Sequence, residues 1–337
     1  MVGIIALTKL RRDQMDIAQL ASELRLHPSI TSKLSISEAV EGLQIGSGSA
    51  GHPGDDAAFL QRSDGGFDLL AGEGFIPSFV NDDPWFAGWC GVMVNVSDIA
   101  AMGGRAIGVI DQIWAPNAEL AKPLLTGLRD AAAAYGVSIL GGHTNFSASE
   151  LNLAVSIFGR ANKLITSFGA QPGDVLIAAI DHRGSYRNFD NFFAASNRSP
   201  EELRADLELL PQLAEDGLVR AGKDISQGGL IGTALMLAES SGVGIEIDIA
   251  HIKPPEHIGI MRWMRSFPSF GYLLSVTPEN AADVQQRFAA RGMTAQAIGS
   301  VNQNTSIDLI FEGRSTLFWD YQEAAYLGLG KTEVCYA

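Results

Sequence analysis

Apolar residues along the chain keep two clear periods. Ile17, Leu20, Ala21 and Leu24 recur at helical spacing, which predicts an amphipathic helix from about Asp13 to Leu26. A Gly/Ser-rich run from Gly46 to Gly54 leads into Asp55-Asp56, and a strand is expected over Phe67 to Ala71, ending at Gly72-Glu73-Gly74. Trp85, Trp89, Val92, Val96 and Ile99 mark a second helix. Its ends are legible too: Asp82 or Asp83 can cap it, Pro84 suits its first turn and Gly103-Gly104 stops it. Asn95 and Asp98 stand three residues apart on this otherwise apolar helix and therefore project together. Most isolated carboxylates on amphipathic helices face water, so the pair gains interest only if other polar groups converge on it.

A strand over Ala106 to Ile113 follows, then a helix from about Glu119 to Tyr135 with Leu at 120, 124 and 128, stopped by Gly136. The short apolar run Val137 to Leu140 reaches Gly141-Gly142-His143-Thr144, and Leu151, Leu153, Val155 and Ile157 alternate as a half-buried strand. Ala161 to Asp174, with Gly169, Pro172 and Gly173, reads as a connection between domains, with the boundary near Ile165. Beyond it come a buried-type strand at Val175 to Ile180 and a capped helix start at Ser199-Pro200-Glu201-Glu202. A second helix is opened by Asp224-Ile225-Ser226-Gln227-Gly228-Gly229, with Leu230, Ala234 and Leu237 on one side. Strands carry Ile245, Ile247 and Ile249 and Tyr272 to Val276, and a helix face holds Val284 and Phe288. The pattern is mixed α/β (α+β) in two domains, 1–165 and 166–337.

Composition narrows the partners. The 337 residues are 46% apolar and 18% charged, enough to bury a core without staples. A formal charge of −14 and the lack of a Lys/Arg cluster argue against nucleic acid, whose phosphates need a basic surface. An acidic chain can still hold a nucleotide if divalent cations sit between carboxylates and phosphates. Cys90 and Cys335 are the only cysteines, too few for a disulfide framework, and a reducing cytoplasm is expected. No signal peptide and no run of about 20 apolar residues is seen, so no membrane association is expected.

Five acidic positions fall beside Gly-rich turns or on the marked helix: Asp55, Asp56, Glu73, Asp98 and Asp224. Glycine turns let backbone approach a ligand closely, and magnesium takes carboxylate oxygens together with substrate phosphates. Phosphoryl transfer is the chemistry this suggests. Singly, each acid also fits a bland role: a turn or cap for Asp55-Asp56 and Asp224, a solvated loop for Glu73. His143 after two glycines likewise fits a turn.

In order, GDDAA at 54–58, AGEGF at 71–75, NVSDIAAMGG at 95–104, LGGHTN at 140–145 and DISQGGL at 224–230 resemble the signature segments of the AIR synthase (PurM-like) superfamily. That superfamily includes AIR synthase, thiamine-monophosphate kinase, selenophosphate synthetase and a hydrogenase maturation dehydratase. The resemblance implies an ATP- and Mg2+-dependent enzyme with an N-terminal α/β domain that pairs through its sheet into a homodimer, and a C-terminal α/β sandwich domain. It implies metal ligation by Asp55, Asp56, Asp98 and Asp224 and a ligand-facing amide at Asn95. It further implies a catalytic or orienting role for His143 and nucleotide contacts at Gly54, Glu73, Gly141, Gly142, Gly228 and Gly229.

Several positions depart from individual relatives. His143 and Gln227 stand where the thiamine-monophosphate kinases have aspartate, and Glu73 where they have aspartate as well. Pro268 to Leu273 replaces a Gly-rich phosphate-side segment. The N-terminal region lacks the cysteine of a selenophosphate synthetase, Cys335 is followed by two further residues, and Cys90 reads as a packing residue. The expectation is γ-phosphoryl transfer from ATP to a small-molecule acceptor. Thiamine-monophosphate kinase and a nucleotide-binding regulator without turnover are the alternatives.

Overall fold

The computed structural model describes residues 16–45, 49, 51–63 and 65–329. Asp13, Gly46 and Cys335 lie outside the described residues. The first half runs α1 (Ile17–Arg25), α2 (Pro28–Thr31), α3 (Ile36–Gly42), β1 (Ala58–Gln61), β2 (Phe67–Gly74), α4 (Pro77–Asp82), α5 (Pro84–Ala101), β3 (Arg105–Trp114), α6 (Ala118–Tyr135), β4 (Ser138–Asn145) and β5 (Asn152–Ala161). The second runs β6 (Val175–Ile180), β7 (Ser185–Tyr186), β8 (Asn191–Phe193), α7 (Pro200–Leu207), α8 (Leu209–Glu215), β9 (Ala221–Asp224), α9 (Gly229–Ser241), β10 (Gly244–Asp248), α10 (Ile260–Arg265), β11 (Phe267–Pro268), β12 (Gly271–Val276), α11 (Pro278–Ala290), β13 (Thr294–Asn302), β14 (Ser306–Phe311) and β15 (Arg314–Asp320).

The first sheet has the order β1-β2-β5-β3-β4, with β3 and β4 parallel and the other pairs antiparallel. Alternation sorts its residues onto two faces. Leu69, Val109, Ile113, Val155 and Ile157 are buried with the residues of α5 and α6, whereas Leu70, Ile107, Ile110 and Trp114 are exposed on the sheet. Asp83 caps α5 by accepting from Phe86 N at 3.2 Å, Pro84 occupies its first turn, and Gly103 ends it with φ of +72°. Gly88 and Gly127 let α5 and α6 touch backbone to backbone: a Cβ at Gly88 would lie 2.1 Å from Leu124 O, and one at Gly127 1.9 Å from Trp85 O.

Helix α5 is not amphipathic. It is buried on nearly every side, Asn95 and Asp98 included. A helix enclosed all round belongs inside a larger assembly of layers, and here the second half supplies the additional cover. The seven-stranded sheet β15-β14-β10-β13-β6-β12-β9 carries that half's core, and β9 packs against α5. Ser97 Oγ donates to Tyr272 Oη at 3.3 Å across this seam.

A small sheet, β11-β8-β7, forms an arm that reaches back to the first half. Arg187 on it bridges to Asp83 at 2.7 Å, and Phe189 meets Phe79 edge-on at 4.7 Å between ring centroids. The segment Pro268 to Leu273 runs through β11 into β12 and is buried: Ser269 Oγ accepts from Ala194 N at 2.9 Å, and Phe270 packs on Tyr272. Its departure from a Gly-rich pattern thus goes with a packing role.

The chain ends of the described region cross over as well. Arg25 donates to Leu317 O at 3.0 Å, fixing α1 on β15, and Ile30 is buried. Buried Glu239 accepts from both Tyr326 N and Leu327 N at 2.7 Å, and Leu329 then reaches Gly54, where a Cβ would stand 3.3 Å from Leu329 Cδ1. Among the described residues no helix is long and apolar enough to cross a membrane.

Candidate functional site

The seam between the two sheets gathers the acidic motifs. Asp55 and Asp56 lie in the loop just before β1, Glu73 near the end of β2, Asp98 on α5 and Asp224 at the end of β9. Asp56 pairs with Lys223 Nζ, and its other carboxylate oxygen accepts from Asp224 N at 3.0 Å. Asp55 accepts from Ser167 N at 3.1 Å and from Ser167 Oγ at 2.6 Å. Ser167 is itself anchored, since its carbonyl accepts from Ser241 Oγ at 2.7 Å. The connection around Ile165 is therefore a buried strut: Thr166 bridges to Ala221, and Ser167 holds the acidic loop.

Charge is badly balanced here. Asp98 is buried, and its carboxyl is pushed well above the usual range, first by desolvation, then by Asp224, Glu73 and Asp56, with Lys223 opposing. Asp224 is pushed up in the same way by burial and by Asp56, against Lys223. Asp55 rises to about 6 through burial, with Lys223 and Ser167 restraining it. Glu73 is the most exposed member, and its carboxyl is also pushed up, by desolvation and then Asp56, with Lys33 opposing. Lys223, buried beside Asp56 and Asp55, gains proton affinity from them. Four carboxyls thus share one buried lysine, and Glu73 has Lys33, from the turn between α2 and α3, as its opposing cation.

Asn95 lies fully buried, with Nδ2 donating to Gly91 O at 2.8 Å in its own helix. Its Oδ1 is buried without a hydrogen-bond partner. Such an orphaned oxygen costs about 1–3 kcal/mol unless something donates to it. Gly228 and Gly229 begin α9 just after Asp224, and no side chain caps that helix. Gly229 needs its left-handed φ of +65°, and a Cβ there would lie 2.4 Å from Met264 O. An uncapped first turn beside an acidic cluster offers N–H groups to a phosphate.

Gly141, Gly142 and His143 are placed elsewhere. They lie on β4, the exposed edge strand, where His143 pairs with Gln112. Glu73, Val155, Asp111 and Gly142 are successive partners across the sheet, so Gly142 and Glu73 are three strand spacings apart, about 14 Å. Cys90 is buried and its thiol is pushed up by burial, in keeping with a packing role.

Among the described residues, no three His, Cys, Asp or Glu side chains converge into a ready-made metal cage. The donors are nevertheless all hard oxygens carrying excess negative charge. Magnesium usually binds through one or two carboxylates and completes its shell with water and phosphate, so this donor set fits magnesium brought with a nucleotide. Lys223, Ser167 and Lys33 escaped the sequence reading. Lys223 had one available signal: it immediately precedes Asp224 at the end of a short apolar strand, where a lysine needs an acidic partner.

Comparison with known proteins bears on the family and the fold. The chain is 44% identical over 286 residues to the uncharacterized protein sll0787 of Synechocystis sp., covering 84% of this chain and 88% of that one. To the uncharacterized protein MJ0640 of Methanocaldococcus jannaschii it is 32% identical, covering 93% and 100%. Among solved structures, T. maritima PurL complexed with ATP superposes with a TM-score of 0.75 at 16% identity, covering 95% of this chain and 53% of PurL, about half that protein's length. Residues 54–161 match the family model "AIR synthase related protein, N-terminal domain" and residues 171–312 its C-terminal counterpart, so the chain belongs to the AIR synthase related family.

Proposed function

We propose that the protein is an ATP- and Mg2+-dependent enzyme that transfers the γ-phosphoryl group to a small-molecule acceptor. The observation that carries this reading is the convergence of five carboxyls from distant segments, four beside Lys223 and Glu73 opposite Lys33, more acids than these two cations balance. Bound magnesium supplies the missing positive charge and offsets the charge of the transferring phosphoryl oxygens. In the reaction, the bond between the γ-phosphorus and the oxygen bridging to the β-phosphate breaks. A bond to the acceptor oxygen forms, ADP leaves, and the acceptor's proton passes to solvent or a neighbouring base.

The chain's own groups divide the remaining work. Asp55, Asp56, Asp98 and Asp224 are the candidate magnesium ligands. Lys223 pairs with Asp56 and holds its carboxylate in place, and Ser167 fixes Asp55. Glu73, Gly54, Gly228 and Gly229 line the nucleotide side, and the orphaned Oδ1 of Asn95 accepts from a ligand donor. Gly141, Gly142 and His143 take part only if bound ATP or acceptor spans the sheet edge. The exposed apolar face at Leu70, Ile107, Ile110 and Trp114 supports a homodimer through the first sheet.

The test is ADP formation with ATP and Mg2+ against a panel of phosphomonoester, amide and thioacid acceptors, thiamine monophosphate among them. Calorimetry of ATP binding with and without Mg2+ runs alongside. Magnesium-dependent binding with acceptor-dependent turnover is expected. Binding without turnover on any acceptor favours the regulator, and absence of magnesium-dependent binding removes the reading altogether.

A further inference from the structure

Asp56 turns its two carboxylate oxygens to different partners, and that division runs through the whole seam. One oxygen takes Lys223 Nζ, and the other accepts from Asp224 N at 3.0 Å. Lys223 and Asp224 are consecutive on β9, so their side chains leave opposite faces of the strand. Asp224 pairs with Tyr272 of β12, whose hydroxyl meets Ser97 of α5 at 3.3 Å, and Asp98 follows Ser97. Lys223 pairs with Leu273 on the other face, and its Nζ stands 3.5 Å from the Oγ of Ser167, a residue that α9 anchors through Ser241. The sheet edge thus sorts the acids into two groups.

The group on the lysine side is closed. Both Asp55 oxygens accept from Ser167 N at 3.1 Å, and Oδ1 also accepts from Ser167 Oγ at 2.6 Å and from Asp56 N at 3.0 Å. Each Asp56 oxygen has its donor as well, and the side chains of Lys223 and Asp56 are only 6% and 4% exposed. An ammonium is a compact cation with three donors, and because it belongs to the chain, its charge is present at any metal concentration. The group on the α5 side is open. Among the described residues no hydrogen bond reaches the carboxyl of Glu73, Asp98 or Asp224, and Lys33 opposes Glu73 and Asp224 without a salt bridge to either. Asn95 stands one turn before Asp98 on the same side of α5, and its buried Oδ1 has no donor. These are hard oxygens that the chain leaves unanswered.

We infer that Lys223 is a resident cation that closes the Asp55-Asp56 side of the seam to magnesium, so that ions arriving with ATP are confined to Glu73, Asp98 and Asp224. The inference rests on the magnesium-dependent reading above and narrows its candidate ligands to Asp98 and Asp224, with Glu73 added. Asp55 and Asp56 then shape the site through Lys223 and the backbone of Asp224 rather than by ligating metal.

Mn2+ is the probe, because it takes the same oxygen-rich octahedral sites and its free ion is counted by electron paramagnetic resonance. It is titrated into the full chain with and without a non-hydrolysable ATP analogue, for wild type, Lys223→Met, the double variant Lys223→Met/Asp56→Asn, and Asp98→Asn. Lys223→Met is expected to bind one more Mn2+ per chain than wild type, without nucleotide as well as with it, and to gain more in melting temperature when Mn2+ is added. The double variant removes both charges of the pair and keeps an acceptor for Asp224 N. It binds the wild-type number of ions, and it carries the test where Lys223→Met alone does not fold. Asp98→Asn binds fewer ions than wild type. Lys223→Met binding no more ions than wild type, or a double variant that loses one, overturns the assignment. If wild type takes no Mn2+ with the nucleotide while Lys223→Met takes one, the resident cation stands and the magnesium-dependent reading falls. No Mn2+ on any of the four proteins overturns both.

Discussion

Two buried acidic centres in this molecule look alike in a list of residues and differ in balance. Around Asp206, Arg291 approaches to 2.7 Å while Arg183 and Arg198 stand at 3.4 Å, and Asp181 and Glu202 complete the set. Three guanidinium groups there answer three carboxylates. At the seam, Asp55, Asp56, Asp98 and Asp224 share buried Lys223, Glu73 has only Lys33 opposite it, and the carboxyls of Asp55, Glu73, Asp98 and Asp224 are pushed up. The first arrangement is complete without a ligand and ties α7 to the sheet. The second carries more carboxyls than cations, the imbalance on which the proposed magnesium binding rests. Charge balance, rather than burial or the number of acids, separates scaffold from site.

The largest expected effect breaks the balanced centre. Asp206→Ala leaves three arginines facing a lost partner and destabilises the fold by about 3 kcal/mol or more, read by urea unfolding. Activity per folded molecule stays unchanged. At the seam the signs reverse. Asp98→Asn lowers Mg2+-dependent ADP formation at least ~100-fold, while the metal-free protein gains about 1 kcal/mol, roughly 2 °C in melting temperature. A fall in metal-free stability would contradict the account of an overcharged seam.

A pH series sharpens the same contrast. Asp55 has its folded pKa raised to about 6 from an ordinary 3.8, so folding favours its protonated form. The stability it contributes is fully present below about pH 4 and is lost as the pH rises through about 6. In chelator, the wild type is therefore expected to lose more stability between pH 4 and 7 than Asp55→Asn does, by about 2 kcal/mol. Saturating Mg2+·ATP narrows that difference. The smallest effect concerns neither centre and tests the proposed homodimer: Ile110→Glu, on the exposed sheet face, is expected to shift sedimentation from dimer to monomer with little change in melting temperature, and wild type sedimenting as a monomer removes that proposal.

Much of the fold could be read from period and punctuation. The strand at Val175 to Ile180, the Ser199 capping box, the Asp83 cap and the Gly136 stop all stand where local chemistry places them. The environment of α5 could not be read this way, because its polar residues face a second layer that folds from sequence more than a hundred residues away. Asp98 was accordingly indistinguishable from a solvated carboxylate until Asp224 and Asp56 were seen beside it. Ser167 shows the same limit. Nothing local distinguishes it from a linker serine, and its importance arises from where Asp55 lands. His143 illustrates the converse, a residue with an informative neighbourhood in sequence that the fold carries about 14 Å along a sheet row from Gly74, the neighbour of Glu73.

Glu239 couples the far end of the described chain to the acidic loop. By holding the backbone of Tyr326 and Leu327 it delivers Leu329 onto Gly54, the residue immediately before the acidic pair. The loop that bears Asp55 and Asp56 is thereby roofed by the far end of the described chain. With only the first sheet formed, those two carboxylates would lie uncovered and without Lys223, so the final shape of the loop requires both halves to be in place.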